Sequence, residues 1–341
     1  MFNIFKNILI LLTMALASAF CASNQKTISK KYYDQGHPIE KHHLMQAYNT
    51  PARVDVNGCT DIFIEGSFLY WQPKENGLAI GVSSSSDLVS DPVKIFNFES
   101  NYKTGFKGAL GFHSNTDDWT ILASYIWFDR DMNTTINQAL AFSSDWVNGT
   151  STQVNARWGV AYNMFELSLS RDNYKGKRLI LSPLAGLKGG WLNQKYNVTS
   201  LTNGAESFSD SWLIGPMAGV KGLWRLRGEL KVFTDISGAL FYQNFYKVSY
   251  EEKNLITEVF STRIDMNKHY LVPNLNLAAG LNYGAYFFKD KFHIDFLVKY
   301  EFMNYWNQNQ MRHLLNLLSF IRFNPGSFML HGLTASMRID F

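Results

Sequence analysis

The chain ends with the stretch Leu333-Thr334-Ala335-Ser336-Met337-Arg338-Ile339-Asp340-Phe341. Its odd-numbered residues are apolar and its even-numbered residues are polar, without an exception. Because successive side chains of a β-strand point to opposite faces, this period of two predicts a strand with one apolar and one polar face.

The same alternation recurs in earlier segments, which cover residues 102–114, 228–244, 268–287 and 291–304. Each segment has one apolar face, and its other face carries full charges and amides. The segments are much longer than the strands of soluble sandwiches, which average about 5–6 residues. Long amphipathic strands of this kind are typical of barrels that cross a bilayer.

The connections between the candidate strands alternate between short and long. The short ones lie near residues 115–118, 172–177, 227–228 and 288–291, and the long ones cover 131–155, 195–210, 245–267 and 305–326. Short periplasmic turns and long extracellular loops produce this asymmetry. The sequence therefore predicts an all-β chain that forms a transmembrane antiparallel up-and-down β-barrel of about ten strands. Twelve strands remain an alternative if residues 73–77 form a turn.

The amino-terminal region predicts export. Residues 1–23 combine Lys6 with a short apolar run and a small-x-small site at Ala17-Ser18-Ala19, as in a secretory signal peptide. A lipoprotein anchored at Cys21 is the alternative. Residues 24–60 are polar and aperiodic, and we expect a periplasmic extension or a segment folded into the lumen. Residues 61–341 form the predicted barrel.

The overall composition excludes several classes of protein. Mean hydropathy is −0.15, which is too low for a helical membrane bundle, and 15% aromatic residues argue against a disordered chain. A net charge of +4 over 341 residues predicts no nucleic-acid partner. Two cysteines cannot form a disulfide framework.

The polar faces of the strands carry the residues with the strongest functional signal. Ionised side chains facing lipid would cost several kcal/mol each, so they must face the barrel interior. The predicted pore-lining residues are Lys103, Lys107, His113, Lys188, Lys221, Arg225, Glu229, Lys231, Asp235, His293, Asp295, Lys299, Glu301, Arg338 and Asp340. A water-filled pore with a weak anion preference is one interpretation, and a closed interior in which opposite charges pair is the other.

The sequence contains no catalytic motif and predicts no cofactor or metal. His37, His42 and His43 lie in the aperiodic segment, where solvated histidines are more common than a metal site. His113 and His293 lack an identifiable nucleophile, so we expect no enzymatic activity.

The terminal strand predicts how the protein reaches its membrane. Phe341 ends the strand, with Ile339 and Met337 on the same apolar face. This arrangement resembles the assembly signal of bacterial outer-membrane barrels, which predicts the barrel-assembly machinery as a partner.

Several short aromatic and glycine-rich stretches, in this order, resemble one known family. They lie at residues 66–71 (GSFLYW), 75–78, 105–113, 118–119, 158–171, 181–187, 190–191 and 214–219. With the terminal strand they resemble the Legionella-type major outer membrane protein family, which includes porin-like proteins of environmental chlamydiae. The resemblance implies an abundant outer-membrane barrel, in general a porin, and it supplies no catalytic residues. Unlike the cysteine-rich chlamydial porins, this chain has too few cysteines to crosslink an envelope.

Alternation, loop asymmetry and resemblance together favour a porin-like channel in the bacterial outer membrane for small hydrophilic solutes. The alternative is a plugged structural barrel, or a surface adhesin acting through its extracellular loops. The expected partners are outer-membrane lipid and small solutes, and a homo-oligomer is an open possibility.

Overall fold

The structure, a computed structural model, describes residues 52, 54, 56, 61–83, 94–114, 118–175, 178–318 and 325–341, except the side chains of residues 139–141. The predicted signal peptide and most of the 24–60 extension therefore lie outside the described residues. No helix among the described residues is long and apolar enough to cross a membrane.

The described part contains thirteen strands and one helix, numbered here in chain order. The strands are β1 (Ile62–Glu75), β2 (Ala79–Ser83), β3 (Ile95–Asn97), β4 (Lys103–His113), β5 (Trp119–Ser144), β6 (Thr150–Arg171), β7 (Asn173–Lys175), β8 (Leu179–Thr199), β9 (Asn203–Arg227), β10 (Leu230–Asn254), β11 (Phe260–Phe287), β12 (Phe292–Tyr305) and β13 (Phe328–Asp340). The helix α1 (Gln310–Leu318) lies between β12 and β13.

Ten of these strands close into an antiparallel barrel. The order around it is β1, β13, β12, β11, β10, β9, β8, β6, β5 and β4, and β4 pairs with β1 to complete the circle. The predicted ten-stranded barrel is therefore confirmed. The short strands β2, β3 and β7 add to this sheet outside the ring.

The barrel has an apolar outer face, as the alternation predicts. Large side chains such as Phe68, Ile236 and Leu333 are more than half exposed there. Exposure of so large an apolar belt to water would be unfavourable, whereas contact with the acyl chains of a bilayer is favourable. Exposed aromatic residues border this belt, including Tyr70 and Tyr102 at the outer edge and Trp224 and Phe292 at the periplasmic edge. The strand segments between these edges span the membrane.

Three of the four segments expected as long loops are continuations of the strands. The β5–β6, β8–β9 and β10–β11 hairpins extend until only residues 145–149, 200–202 and 255–259 connect their strands. The prediction of loops at 131–155, 195–210 and 245–267 is therefore wrong in this respect. These segments are rich in Asn, Thr and Ser, residues that are common in loops. Hydrogen bonding to the neighbouring strand outweighs this local preference and keeps the segments extended.

The extended outer half of the barrel encloses a hydrophobic core of its own. Phe142, Trp146, Val154 and Tyr196 are buried in it, and Met311 on α1 contributes with no exposed surface. The helix packs against β9 and β10. Helix α1 thus packs inside the outer half of the barrel.

Candidate functional site

A layer of charged side chains crosses the middle of the barrel interior. Its members project inward from seven strands and are Glu65, Lys107, Glu166, Lys188, Lys221, Asp235, Lys299 and Glu301. They line a cavity of about 220 Å³. We call this set the charge layer.

The charge layer is arranged as neighbouring opposite charges. Lys299 Nζ lies 2.5 Å from Glu301 Oε1, and both side chains are at least 85% buried. Glu166 and Lys188 occupy directly opposed positions on β6 and β8, as Lys221 and Asp235 do on β9 and β10. Because ions in a low-dielectric interior need a partner, this pairing explains how the charges can lie inside the barrel.

Two members of the charge layer, Glu65 and Glu166, are absent from the residues predicted by sequence. With them, the layer contains four lysines and four carboxylates, so its charges balance. The anion preference was inferred from a cationic excess that this layer does not have. The neighbours of Glu166 could have identified it from the sequence. Phe165 and Leu167 are apolar and both more than half exposed, so alternation places Glu166 between them on the inward face.

A second charged group lies at the periplasmic end of the interior. Arg338 Nε donates to Asp340 Oδ1 at 3.0 Å, and His293 Nδ1 lies 3.3 Å from Asp340 Oδ2. His113 Nε2 lies 2.9 Å from Arg338 Nη2. The guanidinium of Arg338 also lies 3.5 Å from the ring centroid of Phe63, a favourable cation–π contact.

Potential ligand atoms of His293, Asp295 and Asp340 all lie within 4.8 Å of one another, which is close enough to share a metal ion. Arg338, however, donates to both carboxylate oxygens of Asp340. A cation would have to compete with this guanidinium, so charge pairing with Arg338 accounts for the position of Asp340 without an ion.

The remaining predicted residues occupy different places. Lys231 is buried and lines the cavity, while Lys103 and Arg225 lie on the inward-facing positions of β4 and β9 near the two ends of the barrel. Glu229 is exposed in the turn before β10, which corrects its assignment to the interior face. The turn reverses the chain there, so alternation no longer decides where the side chain points.

The terminal strand presents its predicted apolar face outward. Met337 is exposed on that face, and Ile339 shares it by alternation. The ring of Phe341 lies 6.3 Å from that of Phe292, and its backbone N–H donates to Ile62 O at 3.0 Å. Their role as an assembly signal stays a prediction.

Above the charge layer, aromatic side chains from several strands meet across the lumen. We call this set the aromatic seal; it consists of Trp158, Tyr162, Phe241, Tyr305 and Phe328, none of which has measurable exposed surface. The hydroxyls of Tyr162 on β6 and Tyr305 on β12 lie 2.7 Å apart. Phe328 lies 6.3 Å from both Tyr305 and Trp158, measured between ring centroids.

Two described residues of the segment that precedes β1 lie at the periplasmic side of the cavity. Ala52 and Val54 line the cavity, and Ala52 N donates to Asp172 O at 3.0 Å. Part of the 24–60 segment therefore contacts the barrel from within its periplasmic end.

Comparison with known protein families finds one match. The model of the family described as Legionella pneumophila major outer membrane protein precursor matches residues 59–341. No curated protein matches the chain.

Three of the similar solved structures have low sequence identity to this chain. The outer membrane protease OmpT from Escherichia coli is 11% identical over 86% of this chain and 100% of that chain, with a TM-score of 0.44. The toluene transporter TodX from Pseudomonas putida is 9% identical over 82% and 89%, with a TM-score of 0.33. The attachment invasion locus protein Ail of Yersinia pestis is 9% identical over 82% and 98%, with a TM-score of 0.24.

The family match covers most of the chain and the whole barrel. The chain therefore belongs to the Legionella pneumophila major outer membrane protein family and is a β-barrel protein of the outer membrane.

Proposed function

We propose that this protein is a closed structural barrel that displays its extended outer hairpins at the cell surface. The observation that supports this function best is the aromatic seal, in which Tyr162 and Tyr305 join opposite walls of the barrel. Among the described residues, side chains without exposed surface cross the lumen and leave no continuous path for a hydrated solute. The paired charges below the seal agree with an interior that is filled rather than open.

The tips of the outer hairpins support a surface role. Ile256 and Val259, in the β10–β11 connection, are 74% and 64% exposed although they lie far from the lipid belt. Leu255 N donates to Thr202 O at 2.7 Å, so this tip is joined to the tip of the β8–β9 hairpin. Apolar side chains that are exposed to water on a surface held in place by hydrogen bonds are typical of contact sites for other molecules.

A porin-like channel is the second candidate, and the charged cavity favours it. If the segments that form the seal moved aside, the eight side chains of the charge layer would line a hydrophilic passage. The small cavity would then be one section of a pore for small hydrophilic solutes. No enzymatic activity is proposed.

Conductance of the refolded chain 24–341 across a planar bilayer distinguishes the two functions. A closed barrel inserts, shows heat-modifiable migration in gels and stays electrically silent. Discrete current steps that grow with salt concentration would instead establish the channel, and reversal potentials under a salt gradient would then measure its ion preference. A charge layer in balance predicts little preference for either sign of ion.

A further inference from the structure

A second cavity lies on the outer side of the aromatic seal, at the outer end of β1. It has a volume of about 560 Å³, within the range of pockets that hold small molecules. Its wall is formed by residues 72 and 74–79, by residues 97–101, which lead into β4, and by Trp158 and Met329. It is separate from the charge layer, with which it shares no residue.

The pocket combines amide side chains with an aromatic wall. The amides belong to Gln72, Asn76, Asn97 and Asn101. The ring of Phe98 lies 5.9 Å from that of Trp158 in an edge-to-face contact. Amides both donate and accept hydrogen bonds, and an aromatic face covers C–H groups, so the wall matches a ligand with alternating hydroxyl and C–H groups.

Glu75 lines this pocket, and its buried carboxyl group is held in place on one oxygen only. Trp158 Nε1 donates to Gln194 Oε1 at 3.0 Å, and Gln194 Nε2 donates to Glu75 Oε1 at 3.2 Å. Glu75 Oε2 is buried and has no hydrogen-bond partner in the described part of the protein. A buried polar atom without a partner is costly, and a ligand that supplied a hydrogen bond would remove this cost.

The backbone around Glu75 is fixed on both sides. Asn309 Nδ2 donates to Asn76 O at 2.8 Å, and Asn76 N donates to Ser327 O at 3.1 Å. Gly77, with a φ of +90°, makes the turn into β2. The pocket is thus preorganised, which lowers the entropic cost of binding.

We propose that this pocket binds a small, uncharged, hydroxyl-rich solute of monosaccharide size from the outside of the cell. Its charges favour a neutral ligand, because Lys74 and Glu99 at the wall are of opposite sign. Glu75 lies five residues beyond Tyr70, outside the membrane-spanning segment, and burial raises its pKa to about 8. At neutral pH this carboxyl is largely protonated and offers hydrogen bonds without charge.

Saturation-transfer NMR on the refolded chain 24–341 tests the proposal, with glucose, galactose, mannose and N-acetylglucosamine as probes and choline and acetate as charged comparators. At least one sugar should bind saturably and more tightly than either ion. Absence of binding by all four sugars, or tighter binding of choline or acetate, would overturn the proposal. The readout does not involve conductance, so it is independent of whether the barrel is closed.

Two variants locate the binding. Glu75→Ala removes the unpartnered oxygen and should weaken sugar binding about tenfold, whereas Glu75→Gln keeps a neutral hydrogen-bonding group and should retain affinity within about threefold at neutral pH. Glu251→Ala is the matched control, since Glu251 pairs with Arg263 at 3.0 Å on another part of the outer surface. Heat-modifiable migration establishes that each variant folds. Unchanged binding in a folded Glu75→Ala variant, or complete loss in a folded Glu75→Gln variant, would contradict the assignment.

Discussion

The hydroxyl groups of Tyr162 and Tyr305 lie 2.7 Å apart, although their strands stand on opposite sides of the barrel. Four strands separate β6 from β12 in either direction around the ring. This hydrogen bond therefore spans the lumen at the level of the aromatic seal. It ties together two walls that have no backbone hydrogen bonds with each other.

The tyrosine pair should contribute measurably to stability. Tyr162→Phe removes one buried hydrogen bond and should lower the free energy of unfolding by about 1 kcal/mol, whereas Tyr162→Ala should lower it by about 3–5 kcal/mol because a cavity forms. Urea titration in lipid vesicles measures both. In a double-mutant cycle with Tyr305→Phe, additive effects of the two substitutions would contradict the interaction.

The charge layer should be sensitive to the loss of a single charge. Lys299→Met leaves Glu301 buried beside one cation fewer and should destabilise the protein by about 3–5 kcal/mol. The control is Arg157→Ala, since Arg157 pairs with Asp131 at 2.5 Å with both side chains more than half exposed, and it should cost less than about 1 kcal/mol. Equal shifts of the unfolding midpoint in the two variants would show that the buried ion pair contributes no more to stability than the exposed one.

Much of the barrel could be predicted because a membrane imposes a simple rule on every strand. Leu333, Met337 and Phe296 face lipid. Because lipid-facing positions must be apolar, they alternate with polar positions along each strand, and this pattern is visible in the sequence. The aromatic seal obeys no such rule. Tyr162 and Tyr305 are 143 residues apart, and each has an aromatic side chain that suits a lipid-facing girdle as well as a packed interior. Only the closed ring brings them together.

The continuation of the strands into the outer hairpins was not predicted, for a related reason. Beyond the membrane, one face of β10 meets water and the other meets the core around Phe245 and Val248. Its polar outer residues Lys247 and Glu251 lie within a segment that has no lipid-facing apolar stripe. The pattern then resembles a polar loop, and pairing with β9 and β11 decides the structure instead.

Gly111 on β4 should be necessary for stability, because the ring of Phe63 packs directly against it. A Cβ at Gly111 would overlap the ring of Phe63, whereas a Cβ at Gly66 on the adjacent strand would meet nothing within 4 Å. Gly111→Ala should therefore destabilise the barrel by about 1–3 kcal/mol, and Gly66→Ala should be close to neutral. Thermal unfolding of both variants in the same lipid measures the difference, and equal melting temperatures would refute the packing argument.

The orientation of the barrel can be tested with single cysteines. Ile256→Cys at the tip of the β10–β11 hairpin should react with a membrane-impermeant maleimide on intact cells. Glu229→Cys, in a short turn at the opposite end, should react only after the outer membrane is permeabilised. Each variant is compared with the unmodified chain, which reports the background from its own cysteines. Labelling of Glu229→Cys on intact cells would reverse the orientation.

The buried carboxyl of Glu75 should make stability depend on pH. Burial raises its pKa from 4.5 to about 8 in the folded state, so between these values the folded protein holds a proton that the unfolded chain has lost. Stability contributed by this group is therefore present below about pH 4.5 and is lost as pH rises towards 8. Glu75→Gln cannot ionise and escapes this loss. Its urea midpoint should match the wild type at pH 4.5 and exceed it at pH 8.5, with Glu251→Gln following the wild type at both values. A variant that is less stable than the wild type at pH 8.5 would mean that the folded protein favours the ionised carboxylate.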